Sequence, residues 1–177
     1  MEETRLMHNA RPTLHILCGK IASGKSTLAT RLSAEPDTVL ITEDAWLDAL
    51  FSDELQTRED YVRCARRIRA AMKPHVAALL RAGVSVVLDF PANTPGQRRW
   101  FKEIIEATGV THRLHILDIS DEVCLARLRA RNIDGSHPFV VSDALFHDVT
   151  SYFSEPAADE GFTIIRHGAG MRDAPTP

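Results

Sequence analysis

The sequence predicts an α/β domain: a five-stranded parallel sheet with helices on both faces. Three observations carry that expectation. Five short apolar runs alternate with stretches of helical period. The runs are continuously apolar, as in strands that are buried on both sides. The 177 residues, 44% of them hydrophobic, suffice for one core and show no break for a second domain.

Residues 1–12 are polar and read as a flexible arm ahead of a domain spanning 13–168. Leu14–Cys18 is the first buried strand. A helix follows from Lys25 to about Ser33 and is ended by Pro36. Thr38–Ile41 is the second strand, followed by the acidic turn "TEDAW" and a helix starting at Trp46. From about Arg58 to Arg81, residues Tyr61, Ala65, Ile68, Met72, Val76 and Leu79 or Leu80 recur at helical spacing. Pro74 is expected to kink or split that helix, and Gly83 to stop it. Val84–Phe90 is the third strand, with Asp89 near its end. Pro95–Thr108 is a helix closed by Gly109, and His112–Ile119 the fourth strand. Asp121–Arg131 is a basic helix capped by Ser120 or Asp121. The loop "NIDGSHPFVV" leads to a helix over Ser142–Phe153, then a last strand over Gly161–Ile165. Residues 169–177 read as a disordered tail.

Composition narrows the function classes. A net charge of −3 disfavours a protein that coats nucleic acid. Arginine outnumbers lysine 17 to 4, which favours phosphate or carboxylate handling, although GC-rich coding produces the same bias. Cys18, Cys64 and Cys124 have no metal-ligand spacing and suit a reducing, cytoplasmic setting. No apolar run is long enough for a membrane span. The eight histidines suggest no metal site and read as structural or surface residues; His112 and His115, three apart on a strand, face opposite sides.

One motif carries chemistry. Gly19-Lys20-Ile21-Ala22-Ser23-Gly24-Lys25-Ser26 is G-x-x-x-x-G-K-[ST], lying between a strand and a helix. Glycines let successive N–H groups curl around phosphate oxygens, and the helix N-terminus adds positive potential. Gly19, Ala22, Ser23, Gly24, Lys25, Ser26 and Thr27 are therefore the expected nucleotide contacts, with Lys25 on the β- and γ-phosphates and Ser26 on Mg²⁺. The bland alternative is a glycine turn with a surface lysine.

Ligands of open α/β sheets bind at the carboxyl ends of the strands, where two carboxylates fall. Asp44 is the expected base or orienting group for a hydroxyl acceptor, with Glu43 as the neighbour that competes for the role. A helix cap is the alternative for Asp44. Asp89 is expected to hold Mg²⁺ or grip the acceptor; merely ending a strand is its alternative. Arg127 and Arg131 lie one helical turn apart and, with the loop after them, suit a lid over about 121–142 that closes on the transferring phosphoryl group; Arg129 faces away. An arginine cluster, Arg63, Arg66, Arg67 and Arg69, lies on the long helix, with Arg63 and Arg67 on one face and Arg66 and Arg69 roughly on another, and is expected either to bind an acidic or phosphorylated acceptor or to form a solvated face.

With these residues in place, the chain resembles small P-loop kinases: the phage polynucleotide kinase domain, zeta-toxin-like and chloramphenicol phosphotransferase-like proteins, a group often labelled AAA family ATPases. The carriers are "GKIASGKST", "TEDAW", "VVLDFPANTPGQRRWF" and "ARLRARN". The resemblance implies a P-loop NTPase three-layer sandwich with strand order 2-3-1-4-5. It implies that Asp44 is the general base, that Asp89 and nearby Asn93 contact the acceptor, and that Arg127 and Arg131 are the lid arginines. Ala45, Trp46 and Leu47 stand where the polynucleotide kinases carry a second acid and then a substrate-gripping arginine. The expected activity is transfer of the γ-phosphoryl of ATP, with Mg²⁺, to a hydroxyl of a small molecule, in a monomer rather than a dimer. A polynucleotide 5′-hydroxyl kinase and a non-catalytic, ATP-gated binding protein are the alternatives.

Overall fold

The computed structural model describes residues 11–135 and 140–168. Residues 1–10, 136–139 and 169–177 lie outside the described residues; they hold most of the expected arm, part of the expected lid and the expected tail.

Five strands form one sheet: β1 (Thr13–Cys18), β2 (Thr38–Thr42), β3 (Ser85–Asp89), β4 (Thr111–Leu117) and β5 (Ile164–His167). The order is β2-β3-β1-β4-β5, with every neighbouring pair parallel. Among the described residues six α-helices connect and flank them: α1 (Lys25–Ser33), α2 (Glu43–Phe51), α3 (Arg58–Arg81), α4 (Pro95–Thr108), α5 (Asp121–Asp134) and α6 (Asp143–Ser151). This is the three-layer P-loop NTPase sandwich that the sequence predicted.

Two apolar layers sandwich the sheet. On one face Leu14, Ile16, Val86, Leu88 and Leu114 pack with Cys64, Ile68 and Val76 of α3 and Phe101 and Ile104 of α4. On the other, Leu17, Val87 and Leu117 pack with Leu28 of α1, Leu128 of α5 and Phe146 of α6. The strand period of two divides one continuous apolar run between both layers.

Boundaries follow local chemistry. Thr94 and Gln97 form a reciprocal capping box at the start of α4, and Gly109, at φ 64°, ends it as expected. Thr57 and Asp60 do the same for α3. Four expectations differ from the fold. α5 runs through Asn132, Ile133 and Asp134, the first residues of the expected loop, until Gly135, at φ 62°, ends it. The "TEDAW" acids are not in a turn: α2 begins at Glu43, so Asp44 lies in its first turn, behind Thr42 as the N-cap residue. Pro74 does not split α3, whose 24 residues run on with Met72 and Val76 buried on either side, so tertiary packing overrides the local break. The last strand begins at Ile164 instead of Gly161, because Gly161, at φ 70°, closes a 3₁₀ turn over Ala158–Glu160.

Candidate functional site

The glycine loop leaves β1 at the carboxyl edge of the sheet and enters α1. Gly19 is required by space: a Cβ there would lie 2.6 Å from Ser23 Oγ and 3.2 Å from Leu117 Cβ. Gly24 is required by conformation, since it precedes α1 at φ 99°. The hydroxyl-bearing Ser26 and Thr27 open α1 and are exposed. α1 has no acidic residue in its first turn and no side-chain cap, which keeps its N-terminus suited to an anion.

Lys25 curls back over the loop, its Nζ donating to the Gly19 and Lys20 carbonyls at 2.8 and 2.7 Å. Burial lowers its pKa, and the fields of Asp89 and then, more weakly, Asp44 oppose that shift. The two acidic strand-end residues therefore both act on the loop lysine. Asp89 is the last residue of β3, in register with Thr42 of β2, and Asp44 follows two residues later. The sheet register, not sequence proximity, brings them together.

From the other side comes α5. Arg127 NH1 lies 3.4 Å from the Ser23 carbonyl and 3.8 Å from where a Gly24 Cβ would stand. Arg131, one turn on, is half-buried; burial lowers its pKa and Asp44 opposes this. Its Nε is enclosed with no hydrogen-bond partner among the described residues. Arg129 points elsewhere and pairs with Asp143 at 2.5 Å. Lys20, not singled out from sequence, ties the loop to α5 by an ion pair with Asp121 and by donating to the Ile119 carbonyl at 3.4 Å. Only the fold reveals that partner.

Asn93 sits at this edge but is already engaged. Its Oδ1 accepts the Gly19 N–H at 2.9 Å, its N–H donates to Gln97 Oε1 at 2.9 Å, and its carbonyl accepts from Ser154 at 2.8 Å. Behind it lies Arg98, which sequence reading passed over: its side chain is fully buried, grips Glu160 through Nε at 2.6 Å and NH2 at 2.7 Å, and donates NH1 to the Ala92 and Ser154 carbonyls. These bonds fasten the glycine loop to the segment between α6 and β5.

Arg63 and Arg67 lie on the exposed side of α3. Arg63 pairs with Asp60 and with Glu54 at 3.3 Å. Arg67 lies 3.7 Å from Glu54 and over the Phe51 ring, 5.0 Å from its centroid. Glu43, the competitor of Asp44, is 1% exposed and bonded to Arg69 and Tyr61, so it faces the interior. Leu47, one turn after Asp44, is fully buried.

The exposed Ser26 hydroxyl at the start of α1 and the Asp89 carboxylate, whose field reaches Lys25, are hard oxygen donors of the kind that Mg²⁺ takes. Among the described residues, no group of three His, Cys, Asp or Glu is arranged to hold a metal by itself, and no helix is long and apolar enough to cross a membrane.

A family model described as an AAA domain matches residues 14–156. Comparison with curated proteins finds no match. Among solved structures, the chain is similar to a candidate kinase from Chloroflexus aurantiacus j-10-fl, with TM-score 0.72 and 20% identity over 92% of this chain and 90% of that one. It is also similar to Chaetomium thermophilum Kti12 in complex with ADP-AlF3, with TM-score 0.67 and 14% identity over 90% and 91%. A gluconokinase from Sinorhizobium meliloti 1021 matches with TM-score 0.62 and 16% identity over 92% and 85%. At these identities the likeness is one of fold.

Proposed function

The chain belongs to this AAA-domain family of P-loop proteins, and on that premise we propose that it is a kinase transferring the γ-phosphoryl of ATP to a hydroxyl of a small-molecule acceptor. The observation that carries the reading is the convergence on one edge of the sheet. Asp44 and Asp89 both act on Lys25 of the glycine loop, and Asp44 also acts on Arg131 of α5. A switch or motor needs the loop; a carboxylate whose field reaches both the loop lysine and a lid arginine suits phosphoryl transfer to an alcohol.

The roles follow from position. The loop amides and Lys25 hold the triphosphate. Arg127 and Arg131 approach from α5 to offset charge on the transferring group. Asp44 orients the acceptor hydroxyl and takes its proton as the new P–O bond forms, while ADP departs. Ser26 and Asp89 are the residues that would hold Mg²⁺, which when bound neutralises phosphate charge. Support for a small, non-nucleic acceptor comes from α2, where the buried Leu47 leaves no cation one turn after Asp44 to grip a substrate phosphate. Solved relatives of the same fold include a sugar kinase from Janibacter sp. HTCC2649 and a gluconokinase, whose names point the same way.

The test is Asp44→Asn. Transfer, followed as ADP release with Mg²⁺ across a panel of hydroxyl-bearing metabolites, antibiotics and oligonucleotides, should fall on the order of 10² to 10⁴-fold. ATP affinity by calorimetry should stay near that of the unaltered chain. Full transfer by the variant would remove Asp44 from its role, and oligonucleotide labelling alone would move the acceptor class to nucleic acid.

A further inference from the structure

Burying a carboxylate at the start of a helix is costly, yet Glu43, the first residue of α2, is 1% exposed. Two groups from α3 satisfy it. Arg69 Nε donates to one carboxylate oxygen at 2.8 Å and Tyr61 Oη donates to the other at 3.0 Å. Tyr61 and Arg69 stand two turns apart on one face of α3. α3 is tied onward in turn, because Trp100 Nε1 of α4 donates to the Arg69 carbonyl at 3.2 Å. Burial raises the pKa of Glu43, while Arg69 and Tyr61 pull it down. The same burial, with Glu43 and Asp44 nearby, keeps the Tyr61 phenol protonated and able to donate.

An apolar side chain would fill the same space without desolvating an ion pair, and such replacements are commonly neutral or stabilising. Stability alone therefore gives little reason for a buried Glu43–Arg69 pair here. Geometry gives one. A single contact fixes how far α2 stands from α3; two contacts, one on each oxygen, also fix the rotation of α2 about its own axis. The next residue on that helix is Asp44, and successive side chains on a helix are about 100° apart, so the rotation of α2 decides where Asp44 points.

We propose that Glu43, clamped by Arg69 and Tyr61, is the positioning residue that sets the rotation of α2 and so aims Asp44 at the acceptor hydroxyl. This rests on the reading of Asp44 as the group that orients the acceptor. Glu43 acts through its neighbour and touches no substrate. Misplacement of a reacting group by about 1 Å is enough to cost on the order of a hundredfold, so a clamp of this kind carries catalytic weight without contact.

The test uses MgADP with aluminium fluoride, which mimics the transferring phosphoryl group with a water in the acceptor position. It needs no knowledge of the natural acceptor. Three variants, Glu43→Leu, Arg69→Met and Asp44→Asn, are compared with the unaltered chain for affinity toward this complex and toward MgAMP-PNP. The proposal expects all three to bind MgAMP-PNP within about twofold of the unaltered chain and the aluminium fluoride complex at least about tenfold more weakly. Glu43→Gln, which keeps the shape and one acceptor for Arg69, should regain most of the loss, whereas Glu43→Leu should not, however stable it is to urea. Should Glu43→Leu fail to fold, Arg69→Met and Tyr61→Phe carry the comparison. Loss in Asp44→Asn with none in the Glu43 and Arg69 variants overturns the clamp and leaves the kinase reading standing. No loss in Asp44→Asn overturns the reading beneath it.

Discussion

Acid should destabilise this protein through a row of histidines that crosses part of the sheet. His15 of β1, His115 of β4 and His167 of β5 stand side by side on three adjacent strands. His15 Nδ1 is 3.0 Å from His115 Nε2, and His115 Nδ1 is 2.9 Å from His167 Nε2. Each contact is a hydrogen bond only if one nitrogen of the pair carries hydrogen. The four inner nitrogens therefore hold two hydrogens, and the two outer nitrogens hold at most two more. Three neutral rings bring three, so the row takes up one excess proton without breaking a contact; a second sets hydrogen against hydrogen. The charged groups acting on the row, Arg113 and Arg31, are cations, which discourage protonation further.

Burial, with those charges, holds His15 and His115 down from 6.5 to about 4. A depressed histidine pKa means that the unfolded chain binds the proton first. Stability is thus intact above about pH 6.5, falls as the pH drops, and stops falling near pH 4. From pH 7.5 to 5 about 1.5 pH units of that window are crossed, worth about 2 kcal/mol for each fully buried ring at 1.36 kcal/mol per unit. His15 and His167, which flank the buried His115, are only partly buried, so the figure is halved for screening and about 2 kcal/mol is expected from His15 and His115 together. Urea unfolding monitored by circular dichroism at pH 7.5, 6 and 5 should show the midpoint falling by about 1 M. His115→Leu removes the central ring and should show about half that fall. An equal fall in His115→Leu, or a flat profile in the unaltered chain, would refute the argument.

Three further outcomes are expected. Lys25→Met removes a charge-assisted contact to the triphosphate and should weaken ATP binding about 10 to 100-fold by calorimetry, with an unchanged far-ultraviolet spectrum. Arg131→Met should slow transfer on the order of 10³-fold, while ATP affinity moves only a few-fold, because its charge acts on the transferring group. Arg98→Met strands Glu160 and two carbonyls and should destabilise the fold by about 3–5 kcal/mol in urea, whereas Arg129→Met, on an exposed pair, should leave the midpoint where it was.

What was legible in the sequence is what depends on neighbours along the chain. Gly19 to Ser26 declares itself because the loop, its preceding strand and its following helix are contiguous, and Pro95 with Gly109 marks the ends of α4 to the residue. Asp44 and Asp89 were legible as strand-end acids, since topology alone sends parallel strand ends to one edge. What stayed hidden depends on register and on the faces of distant helices. His15, His115 and His167 form a row only because β1, β4 and β5 pair at one particular offset. Glu43 could not be told from Asp44 by position, because the choice between interior and cleft was made by Tyr61 and Arg69, two turns apart on a helix beyond a turn. The cluster of arginines on α3 divides the same way. Arg63 and Arg67 share a face and meet Asp60, Glu54 and Phe51, while Arg69, expected in the same cluster, is the one that reaches inward to Glu43. A residue's partner, more than its type or spacing, assigned its role, and partners are set by the packing of helix against sheet. That is why the glycine loop and the strand-end acids could be placed in advance, and why the contact proposed to aim Asp44 emerged only from the fold.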